Sequence, residues 1–190
     1  MKKIGAGLIP ISGGIVLTNF DFTYDSFGRF DLFPDFVGYG LIAMGLGGLI
    51  RLSKQFAIAR LCAWVLMPIA IIRWLCPPTI LMAFEWVDTG LNAVMIWMLL
   101  SGIRDYSARE HQSYLLKWSS VYRIAYVGLI CVAPMMLNVV SPILPPPPPG
   151  ELGVIFALGL VAAFFWAISP FMILDLLVHF KRDLDKRAFR

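Results

Sequence analysis

Positive charge is distributed unevenly between the segments that separate six apolar stretches of this chain. Of its 16 Lys and Arg residues, all but two fall at the chain ends or in and beside the connections between stretches two and three and stretches four and five. The two exceptions are Arg29 and Arg73. In multi-spanning membrane proteins, loops rich in Lys and Arg face the cytoplasm. The alternation therefore predicts an even number of membrane crossings, with both termini cytoplasmic.

The composition favours the same class of protein. Hydrophobic residues make up 59% of the chain and charged residues 15%, and the mean hydropathy is +0.77. A soluble domain of 190 residues exposes more charge than this, so we expect the excess apolar surface to face lipid. The net charge of +4 does not indicate nucleic-acid binding, because the cations flank apolar stretches, where anionic lipid head groups lie.

The apolar stretches predict an all-α integral membrane fold, a bundle of six transmembrane helices in one domain spanning residues 1–190. A hydrocarbon core of about 30 Å is crossed by about 20 helical residues. The predicted helices cover residues 4–20, 36–52, 57–76, 79–103, 119–140 and 152–180. The outer loops are then 21–35 and 141–151, and the second contains a proline run, Pro145 to Pro149, typical of a rigid spacer.

A short similarity recurs at an offset of 50 residues. Asp35-Phe-Val-Gly-Tyr-Gly-Leu-Ile-Ala43 aligns with Glu85-Trp-Val-Asp-Thr-Gly-Leu-Asn-Ala93. An acidic residue before an apolar run also suits any helix N-terminus, where the helix dipole favours negative charge. Convergence under the same physical constraints therefore explains the pattern, and a duplicated helical hairpin is the alternative.

One segment resembles a known group of proteins. Asp31-Leu-Phe-Pro-Asp35-Phe-Val-Gly-Tyr39 is similar to the D-x-x-P-D-F-x-G-Y stretch of small, uncharacterised bacterial multi-spanning membrane proteins. Gly102-Ile-Arg-Asp105 is similar to a further feature of that group. The resemblance rests mainly on the first motif. It implies a location in the bacterial plasma (inner) membrane and supplies no catalytic residue.

The same segment has a purely structural interpretation. Pro34 precedes the predicted second helix, and Asp35 is placed to cap it. Gly38 and Gly40 are small enough to allow a neighbouring helix to approach closely. These roles account for the motif without any chemistry.

The predicted fourth helix carries the polar face with the sharpest functional hypothesis. Glu85, Asp88 and Asn92 are spaced at i, i+3 and i+7, so they share one face. If the helix begins at Thr79, Asp88 lies about 13 Å along it, near the bilayer midplane, where a carboxyl indicates a proton or cation site. If the helix begins two turns later, both acids are boundary residues. Arg73 is the predicted ion-pair partner in either case.

Acidic residues also collect in the first outer loop. Asp21, Asp25, Asp31 and Asp35 alternate there with aromatic residues, and the alternation predicts a short hairpin on the outer surface. Interfacial aromatic residues make this loop a candidate lid over the bundle. Gathering of the aspartates around a hard cation such as calcium is the alternative, although the dense spacing of a calcium-binding loop is missing.

Near the end of the sixth helix, Asp175, His179 and Asp183 are spaced at i, i+4 and i+8 and form one stripe. A histidine between carboxylates suits proton transfer or metal binding. With Lys and Arg following directly, a solvated cytoplasmic exit is the competing interpretation, and too few ligand-type residues gather for a zinc site. We expect no metal and no cofactor.

Three classes of function remain open. The chain lacks the HExxH, GxSxG, P-loop and dinucleotide-binding motifs, and its three cysteines form no CxxC pair. The leading hypothesis is a non-catalytic accessory or assembly subunit of a membrane complex, whose partners are membrane lipids and another membrane subunit or a second copy of itself. The alternatives are a small transporter or channel that uses the polar face of the fourth helix, and a membrane enzyme acting on lipid.

Overall fold

The computed structural model describes residues 4–19, 23–24, 30–31, 35–75, 78–128 and 152–188, with side chains over 5–18, 35–73, 86–128 and 168–187. A 3-10 turn, Ile4–Gly7, leads into the first helix. The helices are α1 Leu8–Asn19, α2 Asp35–Gly47, α3 Lys54–Leu75, α4 Pro78–Arg109, α5 Ser113–Tyr126 and α6 Leu152–Ala188. The all-helical class is confirmed. A two-residue antiparallel pair, β1 Thr23–Tyr24 and β2 Phe30–Asp31, lies between α1 and α2, where the sequence predicts a hairpin.

Two of the described helices are long and apolar enough to cross a membrane by length and composition. The segments are Lys54–Arg73 in α3 and Trp86–Arg109 in α4, and Gly5–Thr18 and Asp35–Gly47 are shorter apolar helices. A buried core helix of a soluble protein satisfies the same criteria. The six-helix membrane bundle therefore stays a prediction.

Consecutive helices pack against one another from α1 to α5, and α6 contacts both α1 and α5. The helices thus enclose a core whose members are mostly Leu, Ile, Ala and aromatic residues. At one end of this core the Phe56 and Phe180 rings stack with centroids 6.3 Å apart, and Tyr106 meets Phe180 edge-on at 5.1 Å. These three rings come from α3, α6 and α4, so they tie the last helix to the middle of the chain.

Glycine pairs allow α1 and α2 to approach with their backbones in contact. A Cβ atom added at Gly7 or at Gly45 would stand less than 3.0 Å from the carbonyl oxygen of the other residue. Gly14 of α1 and Gly38 of α2 form a second pair, seven residues away from the first in each segment. Such close approach favours Cα–H···O contacts and dispersion between antiparallel helices. Gly40, by contrast, has only an ordinary contact with Met67 at 4.0 Å, so the predicted close approach occurs at Gly38 alone.

The second helix ends at Gly47, where the sequence predicted Leu52. Three i to i−3 backbone hydrogen bonds follow, donated by the N–H groups of Gly48, Leu49 and Leu52. Arg60 of α3 donates from Nε to the Ala43 carbonyl at 3.1 Å. This contact places a positive charge at the negative end of the helix dipole, which favours termination there. An arginine from the next helix therefore helps to set the end of α2.

The fourth and sixth helices continue past the predicted ends of their apolar stretches, to Arg109 and Ala188. On α6, Lys181 pairs with Asp185 and Asp183 pairs with Arg187, each at 3.0 Å and at i, i+4 spacing. Such pairs add a few tenths of a kcal/mol each to an exposed helix, roughly 0.2–0.5 kcal/mol. Polar pairing of this kind carries a helix beyond its apolar part.

The connection from α4 to α5 is a tight helix-terminating turn. The Gln112 N–H donates to the Ser107 carbonyl at 2.9 Å, and His111 adopts a left-handed conformation with φ of 56°. This is the Schellman arrangement, in which glycine normally occupies the left-handed position because it lacks a Cβ.

Replacing His111 with Gly is expected to raise the free energy of unfolding by about 1 kcal/mol, because left-handed backbone costs an L-residue roughly that amount. His111→Val is expected to lower it by at least as much, since a β-branched side chain tolerates φ above zero least. Thermal unfolding of the purified variants measures both changes. Equal melting temperatures for the Gly and Val variants would contradict the assigned turn.

Candidate functional site

The central polar contact of the structure joins α3 to α4. Arg73 Nη1 donates to Asp88 Oδ2 at 2.6 Å. The Asp88 side chain is 12% exposed and that of Arg73 33%. Because α4 begins at Pro78, Asp88 lies ten residues into the helix, about 15 Å along its axis. Of the two helix starts that the sequence allowed, the structure therefore has the earlier one, near Thr79. Asp88 is not a residue of the first turn.

A buried tyrosine, Tyr39, lies near this ion pair and also near a second tyrosine and a second acid. Tyr39 of α2 lies within electrostatic range of Asp88, Arg73, Asp35 and Tyr126. The tyrosines are nearly inaccessible, with 2% of Tyr39 and 3% of Tyr126 exposed. The interior between α2, α3, α4 and α5 thus holds a polar cluster in otherwise apolar surroundings. Burial of this kind requires that charges be compensated within the protein, as Arg73 does for Asp88.

The other two predicted members of the polar face, Asn92 and Glu85, are not in a described contact with the Arg73–Asp88 ion pair. Asn92 lies one turn beyond Asp88 and is half-buried. Glu85 is an interior residue of α4, and its side chain lies outside the described residues. Asp35, its counterpart in the offset-50 similarity, is instead the first residue of α2. The two similar stretches therefore occupy different positions in their helices.

The aspartates of the predicted outer loop do not form a cluster among the residues that the structure describes. Asp21 and Asp25 lie outside the described residues, and Asp31 ends the short strand pair with its side chain also outside them. Asp35 begins α2 and lies near Tyr39. Within the described part of the chain, no group of three or more His, Cys, Asp or Glu residues is arranged to hold a metal ion.

The predicted stripe on α6 divides into two separate contacts. His179 Nδ1 lies 3.0 Å from the Asp175 carbonyl oxygen and 3.4 Å from its carboxylate, and the imidazole packs 4.9 Å from the Tyr114 ring. Asp183 turns the other way and accepts a hydrogen bond from the Tyr106 hydroxyl at 2.9 Å. His179 therefore contacts Asp175 but not Asp183. The three side chains do not form the histidine between two carboxylates that their spacing allowed.

Asp183 belongs to a polar cluster at the cytoplasmic ends predicted for α4 and α6. Arg187 donates from Nε to Asp183 at 3.0 Å and also forms an ion pair with Glu110. The Tyr106 hydroxyl donates to the same Asp183 carboxylate. The cluster anchors α6 to the α4–α5 turn.

The structure also shows an arginine site, around Arg123, that was not predicted from the sequence. Arg123 of α5 donates from Nη1 to Ser101 Oγ at 3.1 Å, and its guanidinium lies 4.2 Å from the centre of the Trp97 ring. Trp97 and Ser101 are one helical turn apart on α4, so they form one face. The available signal was a lone arginine within the apolar stretch 119–140. An isolated sequence offers no means of pairing it with residues on another helix.

Comparison with models of known protein families found no match for the chain. Searches of the curated proteins and of the solved structures also found no match.

Proposed function

We propose that the protein is a six-span integral membrane protein with both termini in the cytoplasm, and that it acts as a non-catalytic accessory or assembly subunit of a membrane complex. The bacterial plasma membrane is the location that the resemblance implies. The accessory role rests on burial, charge and the chemistry of the polar contacts.

Exposed apolar side chains support the membrane placement. On α3, Leu61 is 64% exposed, Trp64 45% and Val65 42%. On α4, Val87 is 50% exposed. In the most apolar 18-residue part of α3 only 33% is buried, and in that of α4 only 44%, whereas the core helix of a soluble protein is mostly buried. Contiguous apolar surface of this kind requires a lipid or protein neighbour.

The observation that carries the accessory role is the closed Arg73–Asp88 contact. A transport site needs a carboxyl whose charge is exchanged with a passing proton or cation. Here the buried acid is already matched by a guanidinium at 2.6 Å, which stabilises its charged form without a substrate ion. The pair therefore suits a structural part that holds α3 and α4 together.

A small transporter or channel is the second candidate, and one observation favours it. Asp88 lies about 15 Å along α4, close to the midplane of a core about 30 Å thick if the helix enters the bilayer near Pro78. Tyr39, Asp35 and Tyr126 extend the polar cluster beyond the ion pair. No described constellation favours a membrane enzyme acting on lipid.

The deciding experiment is purification of the tagged full-length protein from its native host in a mild detergent, followed by identification of co-purifying chains by mass. We expect the protein to resist alkaline carbonate extraction of membranes and to bring down a partner subunit in fixed stoichiometry. A chain extracted by carbonate would refute the membrane placement. A protein that purifies alone, or only as its own oligomer, would refute the accessory role.

Reconstitution into liposomes tests the second candidate. Under the accessory role, proton and cation flux through wild-type liposomes equals that of empty liposomes and of Asp88→Asn. Flux in the wild type that disappears in Asp88→Asn would replace the accessory role with a transport function.

A further inference from the structure

Arg123 is held between α5 and α4 by contacts that use only part of its hydrogen-bonding capacity. Its Nη1 donates to Ser101 Oγ at 3.1 Å. The Ser101 hydroxyl in turn donates to the Trp97 carbonyl at 2.7 Å, so a lone pair of Ser101 faces the arginine. Nε is buried without a hydrogen-bond partner among the described residues. A buried guanidinium N–H that lacks an acceptor is costly, so the protein by itself does not fully satisfy this side chain.

The charge around Arg123 is also unbalanced. Among the described residues, the ion pairs involve other cations, and none includes Arg123. The charged groups that act on it are Arg104, which adds a second positive charge, and Asp105. Asp105 already accepts a hydrogen bond from the Ser53 hydroxyl at 3.1 Å. Two guanidinium groups beside one engaged carboxylate favour an additional anion.

The surroundings of Arg123 favour an anion that carries hydrocarbon. Its neighbours on α5 are apolar and exposed, with 42% of Val121 and 65% of Ile124 accessible. In the predicted topology Arg123 lies four residues inside the cytoplasmic start of the fifth span at Ser119, a depth of about 6 Å. An arginine side chain reaches the head-group level from that depth. Basic pockets between helices on the cytoplasmic side bind anionic lipid head groups.

We propose that Arg123 and Arg104 bind the phosphate group of an anionic phospholipid in the groove between α4 and α5. Trp97 and Ser101 are positioning residues, because they orient the guanidinium by ring stacking and by a hydrogen bond. The phosphate is a mono- or diester, and phosphatidylglycerol is its simplest lipid source. The inference rests on the proposed membrane placement but not on the accessory role.

The test is the melting temperature of the detergent-purified full-length protein during titration with phosphatidylglycerol, with phosphatidylcholine of the same acyl chains, or with inorganic phosphate. We expect phosphatidylglycerol to raise the melting temperature in a saturable manner, as a ligand of the native state does, and the other two to leave it unchanged. A response to both lipids, or to neither, would overturn the site. An equal response to inorganic phosphate would overturn the lipid as the source.

Variants locate the site. Arg123→Gln and Arg104→Gln are expected to raise the half-saturating lipid concentration about tenfold, the effect of losing one charge-assisted hydrogen bond. Arg51→Gln removes an exposed cation from the same predicted side of the membrane and is expected to change that concentration less than about twofold. Equal effects at all three positions would overturn the proposal in favour of diffuse surface charge. If Arg123→Gln does not fold, the exposed Arg104→Gln and the charge-preserving Arg123→Lys decide the same question.

Failure of this proposal is distinguishable from failure of the proposed function. A protein that purifies without a partner but responds to phosphatidylglycerol through Arg123 refutes only the accessory role. A protein that resists carbonate extraction but shows no specific lipid response refutes only the phosphate site.

Discussion

Gly14→Ala is expected to lower the free energy of unfolding by about 1–3 kcal/mol, the usual cost of forcing an extra methyl group into a filled contact. The added Cβ would stand less than 3.0 Å from the Gly38 carbonyl oxygen and from a side-chain carbon of Ile42. The carbonyl belongs to the α2 backbone, so relief requires that α1 and α2 move apart. Gly14→Leu is expected to prevent the two helices from packing.

The neighbouring glycine provides a matched control for this change. Within the described part of the chain, a Cβ at Gly13 meets nothing within 4 Å. Gly13→Ala is therefore expected to raise the free energy of unfolding by about 0.5–1 kcal/mol, because alanine loses less backbone entropy in a helix. Thermal unfolding in one detergent compares the two variants. Destabilisation of the same size at both positions would show that the α1–α2 contact is not formed as described.

Arg73→Met is expected to lower the free energy of unfolding by about 3–5 kcal/mol, the cost of leaving one partner of a buried ion pair uncompensated. The Asp88 carboxylate is 12% exposed and cannot regain full hydration. Asp88→Asn is expected to cost less, because Arg73 is 33% exposed and its long side chain can turn its charge toward water. The double variant Arg73→Met/Asp88→Asn is expected to recover most of the loss.

Unfolding of the wild type, both single variants and the double variant forms a double-mutant cycle that isolates the coupling between the two charges. Arg51→Met serves as the control, since Arg51 is an exposed cation and such changes usually lie within about 0.5 kcal/mol. Arg73→Met no more destabilising than this control would contradict a compensating role for Arg73. If the pair is purely structural, the double variant is also expected to co-purify with the same partner subunit as the wild type.

The sequence predicted several features of the candidate site because they depend on local spacing or composition. Arg73 lies near the end of the predicted third helix and Asp88 lies in the predicted fourth helix, so the sequence predicted an ion pair between them, and the structure places them in contact. The i, i+4 spacing of Asp175 and His179 likewise predicted neighbours on one helix. By contrast, nothing local to Asp183 indicated that it turns to Tyr106 on α4.

Contacts between elements distant in sequence could not be derived in this way. Gly38 and Gly40 are equivalent by composition, yet only Gly38 faces the α1 backbone. Arg60 lies 17 residues beyond Ala43, whose carbonyl it contacts where α2 terminates. The Arg123 site needs Ser101 and Trp97 from another helix. Each of these depends on which helix faces meet, and helical periodicity marks an apolar face without naming its neighbour.

By itself, the sequence determined the all-helical class, because long apolar runs leave backbone N–H and C=O groups that only regular hydrogen bonding satisfies. It also carries the asymmetry of positive charge on which the membrane proposal depends. The tertiary structure alone decided which glycines touch, where α2 stops and which buried charges are compensated. Those outcomes are set by close packing, in which a contact forms only when both surfaces fit, and the second surface lies elsewhere in the chain.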